Sequence, residues 1–237
     1  MAKALRNKVA SRDEWIKARK ALLVKEKKHT REREKLAAAR RALPWEPVAD
    51  DYVFEGPNGK QTLADLFEGR SQLVVYHFMF DPGWDAGCPH CSWWADSFDH
   101  PMQHLNHHDV TMVAVSRAPY EKLAAYRKRM GWSFKWLSSL GNRFNYDFNV
   151  TFTPREVKAK KAFYNFKTQD PFAPEREGLS VFCKDAKGRV YRTYSAFARG
   201  IDPINIDYQL IDLTPKGRDE KGRGNQHWIR RHDEYAR

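Results

Sequence analysis

The chain has 237 residues, of which 41% are apolar and 14% aromatic, a composition that fits one main globular domain with a sizeable core. Its three cysteines are too few for a secreted scaffold held together by disulfides. Residues 1–10 lack the apolar segment of a signal peptide, and no stretch approaches the roughly 18 apolar residues of a membrane helix. The sequence therefore predicts a soluble, cytoplasmic protein.

The net charge of +12 is concentrated near the N-terminus. Residues 1–43 contain 15 Lys or Arg and 5 Asp or Glu, whereas residues 44–237 are nearly neutral. Because a polyanion is attracted by clustered positive charge, any argument for nucleic-acid binding concerns this one segment.

The same segment predicts a long helix. Ser11 and Glu14 form a capping-box pattern, and no Gly or Pro follows before Pro44, which gives about 32 helical residues or roughly 48 Å. Apolar residues lie near both ends but are missing between Lys25 and Lys35, a gap that a coiled-coil seam does not have. We expect a solvated helix that docks by its two ends on the domain or on a second copy in a homodimer. Nucleic-acid and membrane binding are less favoured alternatives.

Beyond Pro44, strand and helix patterns alternate along the chain. The turn Gly56-Pro57-Asn58-Gly59 predicts a hairpin between two short strands. In chain order the predicted elements are the hairpin strands Asp51–Phe54 and Lys60–Leu63, a helical turn Ala64–Phe67, the apolar strand Leu73–Phe80, a helix from Cys88 to about Phe98, the strand Val110–Val115, the helix Pro119–Met130, the strand Phe134–Leu137, the helix Val157–Phe166, the hairpin strands Leu179–Cys183 and Val190–Tyr194, and a closing helix Ile204–Ile211.

The motif Cys88-Pro89-His90-Cys91 lies at the predicted helix start after the apolar strand. The first sulfur then lies beside unpaired backbone N–H groups and the positive end of the helix dipole, which favours its thiolate. The second sulfur follows one turn later on the same face, close enough to form a disulfide. A single Cys-x-x-Cys pair in a βαβ setting is typical of a redox dithiol. We take Cys88 as the candidate nucleophile and Cys91 as the resolving thiol, with two structural cysteines as the alternative.

A zinc site is a second interpretation of the same cysteines. The spacing of Cys88, Cys91, His104 and His108 matches a zinc finger with two Cys and two His ligands. Such a finger needs an unbroken helix to present both histidines, and Pro101 would break it. The flanking segments also have buried-strand patterns where a finger has linkers, so we predict no metal.

A βαβ unit followed by a helix and an antiparallel hairpin, with a dithiol after the first central strand, is the thioredoxin pattern. The leading hairpin is one that peroxiredoxin-like proteins carry before that core. We therefore predict an α/β, thioredoxin-like three-layer fold with a peroxiredoxin-like N-terminal hairpin and a long N-terminal helix. The expected organisation is a basic helix at residues 1–43, a thioredoxin-like domain at 44–213 and a C-terminal tail at 214–237.

Several blocks of sequence together carry a family resemblance. They are Tyr76-His77-Phe78-Met79-Phe80, Gly87-Cys88-Pro89 with Cys91-Ser92 and Trp94-Ala95-Asp96, Ser116-Arg117-Ala118-Pro119, Asn145-Tyr146-Asp147-Phe148 and Arg231-His232-Asp233-Glu234-Tyr235. Over residues 11–237 the chain resembles the bacterial thioredoxin-like family catalogued as domain of unknown function number 899, often labelled a predicted dithiol-disulfide oxidoreductase. The resemblance implies a thioredoxin-like fold and a thiol redox role, and it names no substrate.

Four further side chains are candidates for a role at the dithiol. His90 can stabilise the Cys88 thiolate by charge or hydrogen bond, and strongly oxidising periplasmic thiol oxidases have the same tetrapeptide. His77 lies in the central strand, near the place where thioredoxins keep a buried acid that accepts a proton from the second Cys, although a satisfied core histidine is the favoured interpretation. Trp84 is a candidate for a substrate rim, with core packing as the alternative. Arg117, at the carboxyl edge of a strand, can attract an anionic substrate or thiolate, or form a surface salt bridge.

Two departures from related folds limit the possible activities. Thioredoxins place a cis-Pro near the position of Gly178-Leu179, and neither residue here is proline. A peroxidatic site has Thr or Ser three residues before its cysteine, where this chain has Asp85, whose charge would repel a peroxide-derived oxyanion.

We therefore expect a dithiol-disulfide oxidoreductase without a cofactor, acting on a protein or a small-molecule thiol or disulfide. One alternative is a partner-binding or nucleic-acid-binding module with a structural or zinc-filled Cys-x-x-Cys. A peroxiredoxin-like peroxidase is the third hypothesis.

Overall fold

The structure, a computed structural model, describes residues 7–48, 52–222 and 224–235. Asp51, the predicted start of the leading hairpin, lies outside the described residues. So do residues 1–6 of the predicted basic segment and residues 223, 236 and 237 of the predicted tail.

The described chain is a mixed α/β protein. The α-helices are α1 (Arg12–Arg41), α2 (Pro89–Ala95), α3 (Met102–His107), α4 (Tyr120–Arg129), α5 (Phe144–Asp147), α6 (Pro154–Ala159) and α7 (Ile206–Ile211). The strands are β1 (Glu46–Pro47), β2 (Val53–Gly56), β3 (Gly59–Thr62), β4 (Gln72–His77), β5 (Val110–Ser116), β6 (Trp136–Ser138), β7 (Ala162–Tyr164), β8 (Lys167–Gln169), β9 (Gly178–Lys184) and β10 (Val190–Phe197). Short 3-10 helices lie at Asp65–Phe67, Ala198–Ile204 and His232–Glu234.

Eight strands of the described chain form one sheet in the order β1-β10-β9-β4-β5-β6-β2-β3. The strands β4, β5 and β6 run parallel, and β9 pairs antiparallel with the other edge of β4. A βαβ unit from β4 to β5, the following helix α4 and the antiparallel hairpin β9–β10 are the elements of a thioredoxin-like fold. The leading hairpin β2–β3 joins the same sheet beside β6. The predicted fold class is confirmed.

The sheet buries a different cluster on each face, because successive side chains of a strand point to opposite sides. The dithiol-face cluster lies under α2 and α4 and includes Tyr76, Phe78, Cys91, Trp93, Trp94, Tyr126, Trp136 and Ile229. The far-face cluster lies against α5 and the leading hairpin and includes Phe54, Leu73, Val75, Phe144, Phe148 and Phe182. Burial of each large apolar side chain contributes roughly 1.5–3 kcal/mol, so both clusters hold the central strands in place.

The segment between β6 and β9 differs from the prediction of one helix over Val157–Phe166. The helix α6 begins three residues earlier, at Pro154, because Thr153 and Glu156 form a capping box at its start. It ends where Lys160 adopts a left-handed conformation with φ 53°. The chain then forms the two-stranded hairpin β7–β8. The Lys-rich run has high helix propensity, and the strand pattern after it is too short to be recognised.

The predicted N-terminal helix is confirmed as α1, which begins with the expected capping box. None of its residues is buried, and Trp15 near its start is 61% exposed. Near its end the Arg40 guanidinium lies 5.4 Å from the ring centroid of Tyr194 in β10. Of the helices in the described part of the chain, none is long and apolar enough to cross a bilayer.

Candidate active site

The Cys-x-x-Cys motif begins α2, with Cys88 as the N-cap residue and Pro89 in the first turn. The Cys88 backbone N–H donates to the Met79 carbonyl oxygen at 3.1 Å, which ties the motif to the chain leaving β4. Gly87 leaves no room for a side chain, since an added Cβ would lie 2.7 Å from the Phe78 ring. These contacts hold the Cys88 sulfur at the helix N-terminus, where N–H groups are unpaired.

The two sulfurs have different surroundings. Cys88 is half-buried, whereas Cys91 is 1% exposed. A hydrogen bond with the Cys91 thiol lowers the pKa of Cys88 well below its ordinary value, and His90 adds to this effect. Burial, together with the neighbouring Cys88 thiolate, raises the pKa of Cys91 well above its ordinary value. A partly exposed thiolate beside a buried thiol is what a nucleophile and a resolving cysteine require.

His90 lies beside the reactive sulfur, with its Nδ1 4.0 Å from Cys88 Sγ. This contact raises the pKa of His90, and a backbone hydrogen bond with Gln226 acts in the same direction. The imidazole is therefore held between a thiolate and a backbone group of the C-terminal segment, both of which favour its protonated form.

His77 lies on the opposite face of the sheet from the dithiol. Its ring centroid is 5.5 Å from that of Phe144 and 5.9 Å from that of Phe148, and its Nε2 lies 2.9 Å from Ser180 Oγ. Burial lowers the pKa of His77 to about 3, so the ring is neutral at pH 7. The two-residue period of β4 directs His77 away from Cys91, and its surroundings are those of the core histidine that the sequence analysis favoured over a role at the dithiol.

Tyr76, the residue before it, faces the dithiol instead. Its hydroxyl is fully buried and has no hydrogen bond of normal geometry within the described residues. Burial raises the pKa of Tyr76 well above its ordinary value, and the Cys91 thiol is the next largest cause. This hydroxyl is thus a neutral group next to the resolving thiol.

Glu177 is a partly buried carboxyl near the dithiol that the sequence analysis missed. Burial raises its pKa, Arg176 opposes this, and the Cys88 thiolate raises it further. The Tyr164 hydroxyl lies 2.8 Å from the Glu177 carbonyl oxygen and 3.3 Å from its Oε1. Glu177 directly precedes β9, which starts at the edge of the sheet where the antiparallel β4 ends. The sequence signal that could have identified Glu177 is a carboxylate residue immediately before that strand.

Arg117 belongs to a partly buried ion-pair cluster. Its Nε lies 3.2 Å from Glu175 Oε1 and its NH2 lies 3.3 Å from Asp81 Oδ2, and it also donates to the Tyr146 hydroxyl. Glu175 is 1% exposed, and its burial raises its pKa to about 7 although Arg117 opposes this. The Arg117 cation therefore faces the carboxyl groups of Glu175 and Asp81. This arrangement resembles the salt bridge that the sequence analysis gave as the alternative role of Arg117.

Two other sequence expectations concern Trp84 and zinc. Trp84 is partly buried and packs against the dithiol-face cluster. Among the residues that the structure describes, no group of three or more His, Cys, Asp or Glu side chains could hold a metal ion. His104 and His108 are therefore not gathered with Cys88 and Cys91 into the four-ligand site that the spacing suggested.

The end of the C-terminal tail packs against the dithiol helix. Ile229 is 3% exposed within the dithiol-face cluster, and the ring of Trp228 meets that of Trp93 edge-on at 5.3 Å between centroids. Two residues beyond the buried isoleucine, Arg231 NH2 donates to the Gly87 carbonyl oxygen at 2.7 Å. The residue pattern indicated a tail but not this contact with the redox motif.

Comparison with known proteins gives one family and a set of similar folds. The family model described as "Bacterial protein of unknown function (DUF899)" matches residues 4–235. A search of curated protein sequences finds no significant match. Among solved structures, the peroxidoxin BcpB from Mycobacterium tuberculosis is 15% identical, with a TM-score of 0.46 over 71% of this chain and 97% of that one. A peroxiredoxin Q structure from Xanthomonas campestris is 14% identical, with a TM-score of 0.45 over 70% and 94%.

Proposed function

The chain belongs to the bacterial family of unknown function DUF899, and we propose that it is a thiol-disulfide oxidoreductase whose reactive groups are Cys88 and Cys91. One observation carries the proposal: the half-buried Cys88 sulfur at a helix N-terminus lies one turn before the buried Cys91 sulfur. A structural pair of cysteines does not need this asymmetry, whereas attack followed by resolution does.

In the first step the Cys88 thiolate attacks one sulfur of a substrate disulfide. A bond forms between Cys88 Sγ and that sulfur, the substrate S–S bond breaks, and the other substrate sulfur leaves as a thiolate that takes a proton from solvent. The lowered pKa of Cys88 favours the deprotonated form of the attacking sulfur. His90 is the group that stabilises this thiolate from the side.

In the second step Cys91 loses its proton and attacks Cys88 Sγ. The Cys88–Cys91 disulfide forms, the bond to the substrate sulfur breaks, and the substrate leaves as its second thiolate. The substrate disulfide has then gained two electrons and the dithiol has lost two. The reverse sequence, in which the Cys88–Cys91 disulfide oxidises two substrate thiols, uses the same groups.

Glu177 is our candidate for the proton acceptor of Cys91. Its charge contributes to raising the pKa of both Cys91 and Tyr76. Burial raises the pKa of Glu177, which makes its carboxylate a better proton acceptor, and the mixed disulfide removes the Cys88 thiolate that helps to raise the pKa of Cys91. The neutral Tyr76 hydroxyl completes the buried polar surroundings of this transfer.

The pH dependence of alkylation tests the proposal. In a Cys183→Ser background, which removes the third thiol, we expect Cys88 to react with iodoacetamide along a titration curve whose midpoint lies well below about 8.5. The same protein equilibrated with glutathione buffers should form the Cys88–Cys91 disulfide in one two-electron transition, followed by mass spectrometry. Cys88→Ser is the matched control and should abolish both signals.

An ordinary or unreactive Cys88 thiol, or a failure to form the disulfide at any glutathione ratio, would overturn the proposal. If both tests succeed, a Cys91→Ser variant identifies the substrate class, because it should hold captured partners as mixed disulfides through Cys88. Release of those partners by dithiothreitol distinguishes them from non-covalent contaminants.

A further inference from the structure

The structure assigns a role to Arg231: we propose that it is a positioning residue for Cys88, which makes the C-terminal segment at residues 226–234 part of the redox site. The inference rests on the proposed function, since it concerns how the attacking sulfur is presented. Neither the fold nor the Cys-x-x-Cys motif requires an arginine from the end of the chain at this place.

Arg231 contacts the residue before the nucleophile directly. Its NH2 group donates to the Gly87 carbonyl oxygen at 2.7 Å, across 144 positions of sequence. Its Nε donates to the Tyr126 hydroxyl at 2.8 Å. The Arg231 side chain is 18% exposed, so these two bonds are partly shielded from water.

The Tyr126 hydroxyl continues the contact to the nucleophile itself. It lies 2.9 Å from Ser92 Oγ, and the Ser92 hydroxyl in turn donates to the Cys88 carbonyl oxygen at 2.9 Å. Because the Tyr126 hydroxyl oxygen accepts from Arg231, its own hydrogen is available for Ser92. The three hydrogen bonds therefore run in one direction, from Arg231 through the Tyr126 and Ser92 hydroxyls to the Cys88 carbonyl oxygen. One guanidinium thus acts on the two carbonyl groups that flank the Cys88 nitrogen and Cα, directly on one side and through two hydroxyls on the other.

Arg231 is held in place by its own neighbours. Its NH1 lies 2.8 Å from Glu234 Oε1. His232 Nδ1 lies 2.7 Å from Asp96 Oδ1 at the end of α2, and the buried Ile229 anchors the segment in the dithiol-face cluster. The segment therefore docks without the two bonds from Arg231 to Gly87 and Tyr126. The Arg231 side chain is thus available to orient the turn formed by Gly87 and Cys88, called here the Cys88 turn.

The geometry suits a guanidinium in particular. Its planar fork lets one side chain reach the Gly87 carbonyl and the Tyr126 hydroxyl together, whereas the ammonium of lysine is a single point with a different reach. The turn also packs closely, because a Cβ added at Gly87 would lie 2.7 Å from the Phe78 ring and 3.0 Å from the Tyr126 ring. Losing the Arg231 bonds should let the turn relax and move Cys88 Sγ away from His90 and from the helix N-terminus.

The test measures the Cys88 pKa and alkylation rate in Arg231→Gln and Arg231→Lys. For Arg231→Gln we expect a higher Cys88 pKa and at least a threefold slower alkylation at pH 7. For Arg231→Lys, which keeps the charge but not the fork, we expect an intermediate result. Arg218→Gln is the matched control, since Arg218 lies in the same tail and its guanidinium pairs with Asp212 at 2.6 Å and with Asp202 at 3.3 Å.

A second variant keeps the inference testable if the Arg231→Gln variant does not fold. Tyr126→Phe removes only the hydroxyl relay and should shift the Cys88 pKa upward by a smaller amount, with the fold checked by circular dichroism. If the parent has a low Cys88 pKa and the folded Arg231→Gln or Tyr126→Phe variant keeps it, the inference is overturned while the proposed function stands. If the parent itself has an ordinary Cys88 pKa, the proposed function fails and the inference fails with it.

Discussion

The two faces of the central sheet shift the pKa of a histidine side chain in opposite directions. On the far face, His77 is buried beside the Phe144 and Phe148 rings and its pKa falls to about 3, because burial removes water from the ring and the Arg192 cation also disfavours its charged form. On the dithiol face, His90 is only partly buried and its pKa rises, because the Cys88 thiolate faces it. Burial alone removes the charge of a histidine, whereas burial beside an anion preserves it.

The two histidines therefore affect different properties. Protonation of the buried His77 would destabilise the fold, whereas the charge of His90 belongs to the chemistry of the dithiol. Three predictions test that difference, beginning with the one of largest effect.

The largest effect is expected from His77. Its pKa in the folded state lies below its unfolded value of about 6.5, so its contribution to stability is complete above that pH and is lost as the pH falls toward 3. Relative to a His77→Phe variant, we expect the parent to lose about 1.4 kcal/mol per pH unit below about pH 6, or on the order of 4 kcal/mol in all. Urea unfolding at a series of pH values measures this difference.

The same variant also tests whether the faces are independent. Ser180 keeps a second neighbour, Ser195 Oγ at 3.1 Å, so the loss of its bond to His77 adds only an offset that does not vary with pH. We expect the alkylation profile of Cys88 to remain that of the parent. A shifted Cys88 pKa in His77→Phe would show that the far face does influence the dithiol.

The next effect concerns His90 and the redox potential. By stabilising the Cys88 thiolate, the imidazole favours the reduced form and makes the pair more oxidising. Since His90 is partly exposed, we take the lower end of a charge-assisted hydrogen bond, about 1.5 kcal/mol, which corresponds to roughly 30 mV. His90→Ala should therefore lower the potential by about 30 mV in a glutathione titration. An unchanged potential would make His90 a bystander.

The smallest effect is expected from Glu177. If it accepts the Cys91 proton, Glu177→Gln should slow the second step about tenfold, or about 1.4 kcal/mol in the barrier. The rate is measured by loading Cys88 with glutathione and following its release by rapid quenching and chromatography.

Glu175→Gln is the control for that experiment, because burial also raises the pKa of this carboxyl, and its ion pair is with Arg117 whereas that of Glu177 is with Arg176. Equal slowing in both variants would indicate general damage to the sheet edge and would exclude a specific role for Glu177.

Much of the fold follows from local pattern. The apolar runs of β4 and β5, the alternating residues of β9 and β10, the capping box of α1 and the turn at Gly56-Pro57-Asn58-Gly59 are short-range signals, and each predicted its element. The segment between β6 and β9 was predicted wrongly, since a Lys-rich run favours a helix while a three-residue strand carries little signal. Its hairpin depends on a partner strand, which no local pattern can show.

The site was only half determined by the sequence. Cys88, Cys91 and His90 lie within four residues, so the helix start alone brings them together. Tertiary structure decided which face of the sheet each neighbouring side chain occupies and which distant residues lie near the dithiol. Tyr76 faces the dithiol, where the sequence analysis considered His77. Glu177 lies in the loop before β9, and Arg231 lies in the C-terminal tail. The physical reason is that these residues are distant along the chain, and only packing of the strands and the tail against α2 brings such groups close to the dithiol.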